Sequence, residues 1–491
     1  MLELVKKSKA IQIMLFVSVS AVIGLSFFVL AELPTKVWLF VILGVFFPFT
    51  LLIAGNVRHL LMFGLVLLMP LHIDVNFYHN FQEQAGAHTM GISAVDIFAL
   101  MLFFLLMVEL AGKRKTTFNF YPRLAVPTIL YIEVCVLTLL WAPQMDLAVM
   151  EIYTMAKLFF IFIILANQIR DVQDIRRVAW ALALIVGLES FIGVLQMIKG
   201  GTLGLAFLGE PVIREEGAGP WRVMGTMGHP NRLAMFLEIL LPMCFALFLI
   251  EKQKLMRFLA ISIFGLGIVA LIMTGSRGAW VSFTFALAIL FYFAIKSKAM
   301  KFSSLIGPGI AALILITVMA FAFSDMIEER LYGEDHGSAM SRIPMMQIAL
   351  NLIQDHPIGG VGINNYAEVM QQYNDTILGR RFGTISRPVH NMYLLVIGET
   401  GFLGFGMLLS MMIMFGKTLL KSIKSDNRII SLVNIALLAG FGAMCLHGLV
   451  DKHPPGGYLY FYVMMAMAAS SYYMVYKNNT GQMLTDYPDS L

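Results

Sequence analysis

The stretch 11-IQIMLFVSVSAVIGLSFFVLA-31 holds no charged residue and is long enough to cross a bilayer as a single helix. Lys6, Lys7 and Lys9 precede it. A basic start before an apolar run also describes a secretory leader, but this run is long and has no small-x-small cleavage site. It reads as a retained first span. Runs of the same kind recur as far as residue 476 in a chain of 491 residues, 59% hydrophobic and 13% charged, with mean hydropathy +0.79. Soluble domains carry about 25% charged side chains. The expected fold class is an all-α polytopic membrane protein with about 12–14 transmembrane helices.

Apolar segments are readable at 11–31, 36–55, 60–73, 94–111, 123–141, 150–166, 177–197, 232–250, 258–273, 280–295, 305–323, 390–416, 429–449 and 457–476. The segment 60–73 is the shortest. With this count, Arg58, the Lys113-Arg114-Lys115 run, Arg170, Arg176, Arg177, Lys252, Lys254, Arg257, Lys296, Lys298, Lys301, Lys417, Lys421, Lys424 and Arg428 share one side with the N-terminus. By the positive-inside rule that side is cytoplasmic. An even number of spans returns the C-terminus, with Lys477, to the same side. Residues 1–491 are expected to form a single integral membrane domain.

The loop lysines account for the net charge of +5. No basic patch is interleaved with stacking aromatics, so no nucleic-acid partner is expected. Cys135, Cys244 and Cys445 fall inside apolar runs, without metal-ligand spacing, and an odd count gives no disulfide framework. No Walker sequence is present, which disfavours nucleotide-driven transport.

Two outer segments exceed simple connections. Residues 198–231 include the polar, Gly/Pro-rich 209-GEPVIREEGAGPWR-222. Residues 324–389 form a long outer loop in which 341-SRIPMMQIALNLIQDHP-357 has helical apolar spacing, expected as an amphipathic helix near the outer surface. The stretch 358-IGGVGINNY-366 follows, then Arg380, Arg381 and Arg387.

Three outward-facing helix starts carry positive charge: 222-RVMGTMGHPNRLA-234, 274-TGSRGAW-280 and 387-RPVHNMYLLVIGETG-401. Arginine is disfavoured both at the positive end of a helix dipole and on the outer side of a membrane. Residues kept against both preferences point to an anionic ligand, here a lipid-linked phosphate. Asn231 or Pro230, Ser276, and Pro388 with Asn391 are suitable helix starters. Free N–H groups there attract phosphate oxygens, and arginine adds a bidentate donor. Arg222, Arg277 and His390 are expected to converge on a pyrophosphate, with Arg232 competing for the same role. The plainer alternatives are that Arg277 snorkels or pairs with Glu238, and that Arg222 is solvated in its loop.

Glu399, Glu238 and Glu189 lie in apolar runs and are costly if unpaired; each reads as a packing hydrogen bond or as a proton relay. His229 is expected to shape its turn, and His356 to be a loop residue before Pro357. In 447-HGLVDKHPPGG-457, His447 and Asp451 can share a helix face. With His453 they are the residue types of a metal site, but no HExxH pair is present, and no metal or other cofactor is expected.

Taken in order, these motifs resemble the O-antigen ligase and Wzy-type polymerase superfamily. The similarity runs from Arg222 through Gly225 to Pro230-Asn231, then Ser276-Arg277-Gly278, His356-Pro357, Gly360-x-Gly362, Asn364, His390-Asn391, Tyr393-Leu394 and Glu399-x-Gly401. The resemblance implies a GT-C-like glycosyltransferase of the bacterial inner membrane, its site facing the periplasm. The donor would be an undecaprenyl-diphosphate-linked glycan and the acceptor a glycan, lipid A–core or protein. It implies that Arg222 and Arg277 contact the diphosphate and that His390 assists the acceptor. Arg232, Asn231, Asn364, Asn391, Arg387 and Asp451 are candidate donor or acceptor contacts, and Asp451 matches a late polar residue of some ligases. A flippase and a chain-length regulator are candidate partners.

Chain length and the long outer loop favour polymerisation of repeat units over ligation to lipid A–core; protein O-glycosylation is a further alternative. A lipid-linked oligosaccharide flippase or other transporter is the alternative from a different class. Internal repeats and broken helices, common in transporters, are not evident in the sequence.

Overall fold

A computed structural model describes residues 56–79, 86–87, 89–112, 117–210, 221–297, 307, 338–374, 388–452 and 457–480. The expected spans at 11–31 and 36–55, nearly all of 305–323, and the candidate residues Arg387 and His453 lie outside them. The elements in chain order are α1 (Val57–Leu67), β1 (Asp74–His79), β2 (Thr89–Ser93), α2 (Ala94–Ala111), α3 (Pro122–Leu137), α4 (Met145–Gln168), α5 (Val172–Lys199) and α6 (Pro230–Ile250). They continue with α7 (Lys254–Met273), α8 (Arg277–Lys296), α9 (Ser338–Asp355), α10 (Met392–Ser422), α11 (Arg428–His447) and α12 (Leu459–Thr480). Among the described residues nine helices, α2 to α8, α10 and α11, are long and apolar enough to cross a membrane.

Local chemistry sets many of the boundaries. Ser93 and Asp96 form a reciprocal capping box at the start of α2, and Asp171 caps α5 through the Asp174 N–H. Gly200, at φ 67°, ends α5 in the left-handed conformation that glycine adopts without strain. The expected 60–73 run is helical only to Leu67; a turn follows to Pro70, which has no N–H to extend a helix.

The all-α expectation needs one correction. β1 and β2 form an antiparallel hairpin, paired from Asp74–Ser93 to His79–Thr89. It is seated on α4, where the Tyr153 hydroxyl donates to the Gly91 carbonyl at 3.0 Å and the Phe77 ring meets Tyr153 edge-on. Two five- or six-residue strands between spans leave no helical period to detect, only short polar–aromatic stretches.

Helix α6 is the hub. Of its most apolar window 94% is buried, against 33% for α8, and it packs on α5, α7, α8 and α11. Helix α10 packs on α3, α11, α12 and α9. The helix expected over 341–357 corresponds to α9, which buries Met345, Ile348, Ala349, Leu352 and Ile353. That face forms a small separate core with Val361, Tyr366 and Leu395. A second apolar row, Ile343, Met346 and Leu350, stays exposed.

The sequence shows no broken helix, yet α10 is broken at Gly401 (φ 64°, ψ −174°). The backbone of 357–362 fills the break. Val361 and Gly362 N–H groups donate to the Gly398 and Glu399 carbonyls, both at 2.9 Å, and the Phe402 N–H donates to the Pro357 carbonyl at 2.8 Å. Groups freed by the break are thus satisfied by protein, as a bilayer requires. Gly360 (φ 66°) and Gly362 (φ 107°) make the close approach, and a Cβ at Gly360 would meet the backbone of Glu399 and Thr400.

Candidate active site

The loop entering α6 is positioned by buried polar residues of α5. Glu189 accepts from the Thr226 N–H at 2.9 Å and the Thr226 hydroxyl at 2.6 Å. Gln196 accepts from the Met224 and Gly225 N–H groups and donates to the Gly225 carbonyl and to Glu210. All four side-chain-bearing partners, Glu189, Gln196, Glu210 and Thr226, are buried. A polar loop can be buried in a bundle only when its backbone groups are satisfied in this way.

That anchoring fixes Arg222. Its Nε donates to the Thr274 carbonyl at 2.6 Å and an Nη to the Asn231 Oδ1 at 2.7 Å. Thr274 closes the C-terminal end of α7, where a cation is favoured by the helix dipole. Arg222 therefore bridges the end of one helix and the start of another. Asn231 serves as its acceptor instead of capping α6; His229 takes the cap, its Nδ1 accepting the Asn231 N–H at 3.1 Å, with Pro230 in the first turn. The expectation that His229 shapes the turn agrees with this placement. Desolvation of its ring, then Arg222 and Arg232, push the His229 pKa down to about 4, so it is neutral near pH 7.

Arg277 is the first residue of α8, against the dipole preference. Ser276 occupies the cap position but makes no capping hydrogen bond through its side chain. Asn391 does cap α10, accepting from the Tyr393 and Leu394 N–H groups at 3.0 Å each. Its amide also donates to the Leu449 carbonyl at 3.2 Å, and the Met392 N–H donates to the Gly448 carbonyl, tying the start of α10 to the end of α11.

These ends surround a polar cavity of about 80 Å³ whose lining includes Arg222, Asn231, Arg277, Arg342, His447 and Asp451. It is small beside the ~300–1,000 Å³ of drug-sized pockets, so it has room only for a compact polar group. Three guanidinium groups meet one lining carboxylate, Asp451, which is 2% exposed. His390 stands beside the cavity with its side chain a quarter exposed, Nδ1 3.7 Å from Asp451 Oδ1. That separation is too long for a hydrogen bond. The Glu238 alternative for Arg277 is superseded: Glu238 Oε1 engages His447 Nδ1 at 2.8 Å.

The remaining candidates are placed elsewhere. Arg232 is exposed on the first turn of α6, near enough to act on His229 and Tyr458. Asn364 is 1% exposed and its amide is committed to Gly86 N–H, Ala87 carbonyl and Leu147 carbonyl, while its φ of 57° is unusual outside glycine. Glu399 is buried beside the α10 break, and its Oε1 has no hydrogen-bond partner among the described residues. His356 is bonded to the Tyr373 hydroxyl at 3.1 Å. Sequence reasoning missed Arg342 and the Gln196–Glu210–Thr226 anchor. Arg342 sits in the first turns of a helix predicted for its apolar period, and that period says nothing about its polar residues. Among the described residues no group of three or more His, Cys, Asp or Glu side chains is arranged to hold a metal ion.

Residues 261–409 match a protein-family model described as O-Antigen ligase. The matched region takes in Arg277, Arg342 and His390, together with the break in α10 and the loop that fills it. Arg222, His447 and Asp451, brought to the same cavity, lie outside it. No curated protein matches the chain.

Proposed function

We propose that this protein, whose residues 261–409 match a family model described as O-Antigen ligase, is a membrane glycosyltransferase. It moves a glycan from an undecaprenyl diphosphate carrier onto a sugar hydroxyl at the outer face of a bacterial inner membrane. The observation that carries this reading is the cavity where Arg222, Arg277 and Arg342 gather from the α6 entry loop, the start of α8 and the outer helix α9. Preorganised guanidinium groups offset charge as it develops on a leaving diphosphate, the contribution expected to dominate in such a site.

The acceptor hydroxyl attacks the anomeric carbon, and the carbon–oxygen bond to the diphosphate breaks with its electron pair leaving on the diphosphate. The hydroxyl proton passes to the imidazole of His390, oriented by Asp451. No nucleotide sugar or metal ion is required, because the arginines supply the positive charge. A single displacement inverts the anomeric configuration; trapping a covalent glycosyl-enzyme would overturn that step.

The preferred reaction is polymerisation of O-antigen or exopolysaccharide repeat units, supported by the long outer segment around α9. Transfer to lipid A–core is the second reading, favoured by the family description itself. The deciding experiment incubates purified protein in lipid with undecaprenyl-diphosphate-linked repeat units and resolves products by gel and mass. A ladder that disappears in Arg277→Ala and His390→Ala supports polymerisation. One glycan transferred only when lipid A–core is added supports ligation. Inactivity of folded protein with both acceptors rejects the glycosyltransferase reading in favour of transport.

A further inference from the structure

Two histidine–carboxylate pairs meet at the cavity, and the chemistry above uses only His390 with Asp451. The other pair is His447, the last residue of α11, and Glu238 of α6. His447 is 2% exposed and Glu238 is wholly buried. Nδ1 of His447 lies 2.8 Å from Glu238 Oε1. Nε2 is turned the opposite way, 3.9 Å from Asp451 Oδ2 and 3.0 Å from the place a Cβ on Gly278 would occupy. The ring thus lines the same cavity as the three arginines, with Nε2 on the side of Gly278 and Asp451.

Burying this pair has a high desolvation cost, and helix packing alone is better served by apolar side chains. The arrangement has a specific chemical consequence. When the pair holds its extra proton, Nε2 presents an N–H to the cavity whether the other proton resides on Nδ1 or on Glu238. When that proton is lost, Nε2 presents a lone pair.

We propose that His447, oriented by Glu238, is a further catalytic contact for the leaving group, its Nε2–H donating to a phosphate oxygen of the lipid diphosphate. The proposal rests on the reading of the cavity as a diphosphate site and assigns the two histidines to opposite ends of the reaction. No proton need transfer: the hydrogen bond strengthens as the breaking carbon–oxygen bond leaves its electron pair on the diphosphate. Glu238 is a positioning residue, acting through His447.

The charged and titratable groups around the pair are Arg222, Arg277, Arg342, Asp451, His390 and, facing Glu238 from α12, Tyr460. Arginine, aspartate and tyrosine ordinarily titrate outside pH 6 to 8, and His229 is pushed down to about 4. A change in affinity across that range that is lost in His447→Gln and kept in His390→Gln therefore belongs to the His447–Glu238 pair.

The test is binding of undecaprenyl-diphosphate-linked N-acetylglucosamine to the full chain in nanodiscs at pH 6, 7 and 8. Its diphosphate is esterified at both ends, so the ligand keeps its charge over this range. Expected is a wild-type Kd that rises ~tenfold from pH 6 to 8, and a His447→Gln Kd that is ~tenfold weaker at pH 6 and flat with pH. Glu238→Gln should weaken binding and alter the slope, and His390→Gln should keep the wild-type slope. Wild-type affinity and slope in His447→Gln, with binding lost in Arg277→Ala, overturns the role of His447 while leaving the diphosphate site standing. Unchanged binding in Arg277→Ala as well removes the diphosphate reading itself. Should His447→Gln fail to fold, a flat wild-type profile is sufficient to overturn the proposal.

Discussion

Arg222 reaches across from the α6 entry loop to donate its Nε to the Thr274 carbonyl at 2.6 Å, while its guanidinium also holds Asn231. One side chain thus serves a helix end and faces the cavity. Lysine keeps the charge but not the fork, because an ammonium cannot span two acceptors in a fixed plane. Arg222→Lys is expected to lower kcat/KM at least ~tenfold, since one charge-assisted hydrogen bond is worth about 1.5–3 kcal/mol. Asn231→Ala should have a smaller effect in the same direction. Full activity in Arg222→Lys, with a normal melting curve, would mean that charge alone matters here.

The Arg222 loop depends on Glu189, which is buried and bonded twice to Thr226. Glu189→Ala leaves two donors unsatisfied and is expected to cost about 2 kcal/mol or more. Glu189→Gln can accept from the Thr226 N–H and donate to its hydroxyl, so it should retain most stability and activity. A proton-relay role predicts the reverse for the glutamine variant, namely intact folding with lost turnover. Thermal melts and rates measured on the same two proteins decide between them.

Much of this fold is written in apolar period and in helix punctuation. The runs at 94–111, 177–197 and 232–250 correspond to α2, α5 and α6, and Asn391 caps α10 as its position suggests. Convergence of Arg222 and Arg277 could be expected from a shared charge anomaly, and the structure places both at one cavity. Arg342 could not be expected, because its presence depends on how α9 docks on α10. Nor could the fate of Asn364: a buried amide and a ligand-binding amide look alike until their partners are known. The break at Gly401 was hidden for a related reason, since the glycines that permit it lie in a loop about forty residues upstream, at 359–362.

Gly401 is expected to be intolerant of any side chain. Its φ of 64° with ψ of −174° is a region open essentially to glycine alone, and a Cβ would strike the backbone of Ile358. Gly401→Ala should cost more than ~2 kcal/mol and release the 357–362 insertion, which in turn carries α9 and Arg342. Loss of folded yield, or a melting temperature several degrees lower, is the expected result. A normal melt would show that α10 can run straight through this position.

At the opposite end of the bundle, Arg176 binds Glu251, and the Trp180 indole N–H donates to the same carboxylate. Burial alone would raise the Glu251 pKa, but these partners overrule it and hold it below the usual carboxylate range. A carboxylate depressed in the folded state contributes stability that is present above its unfolded value, near 4.5, and lost as pH falls through the folded value. Melting temperature in detergent should therefore drop below about pH 4.5 more steeply in the wild type than in Glu251→Gln. Parallel acid profiles would assign the acid sensitivity to other carboxylates.

Arg342 gives the sharpest test of the assembled site, because it reaches the cavity from a helix whose buried face belongs to a small core separate from the main one. Its helix buries one face against α10 through Met345, Ile348 and Leu352, so truncating Arg342 leaves the docking surface untouched. A residue that only keeps α9 soluble would be replaceable by glutamine or lysine. One that offsets charge on a leaving diphosphate would lose turnover in Arg342→Gln, recover part of it in Arg342→Lys, and melt normally in both. The expected loss is ~10- to 100-fold in kcat, with a smaller change in KM, because the interaction strengthens only as the bond breaks. Ile343→Ala, on the exposed face beside it, serves as the control for disturbance of α9 itself. Equal rates in the Arg342→Gln and wild-type proteins would remove α9 from the chemistry and leave Arg222 and Arg277 as the arginines of the site.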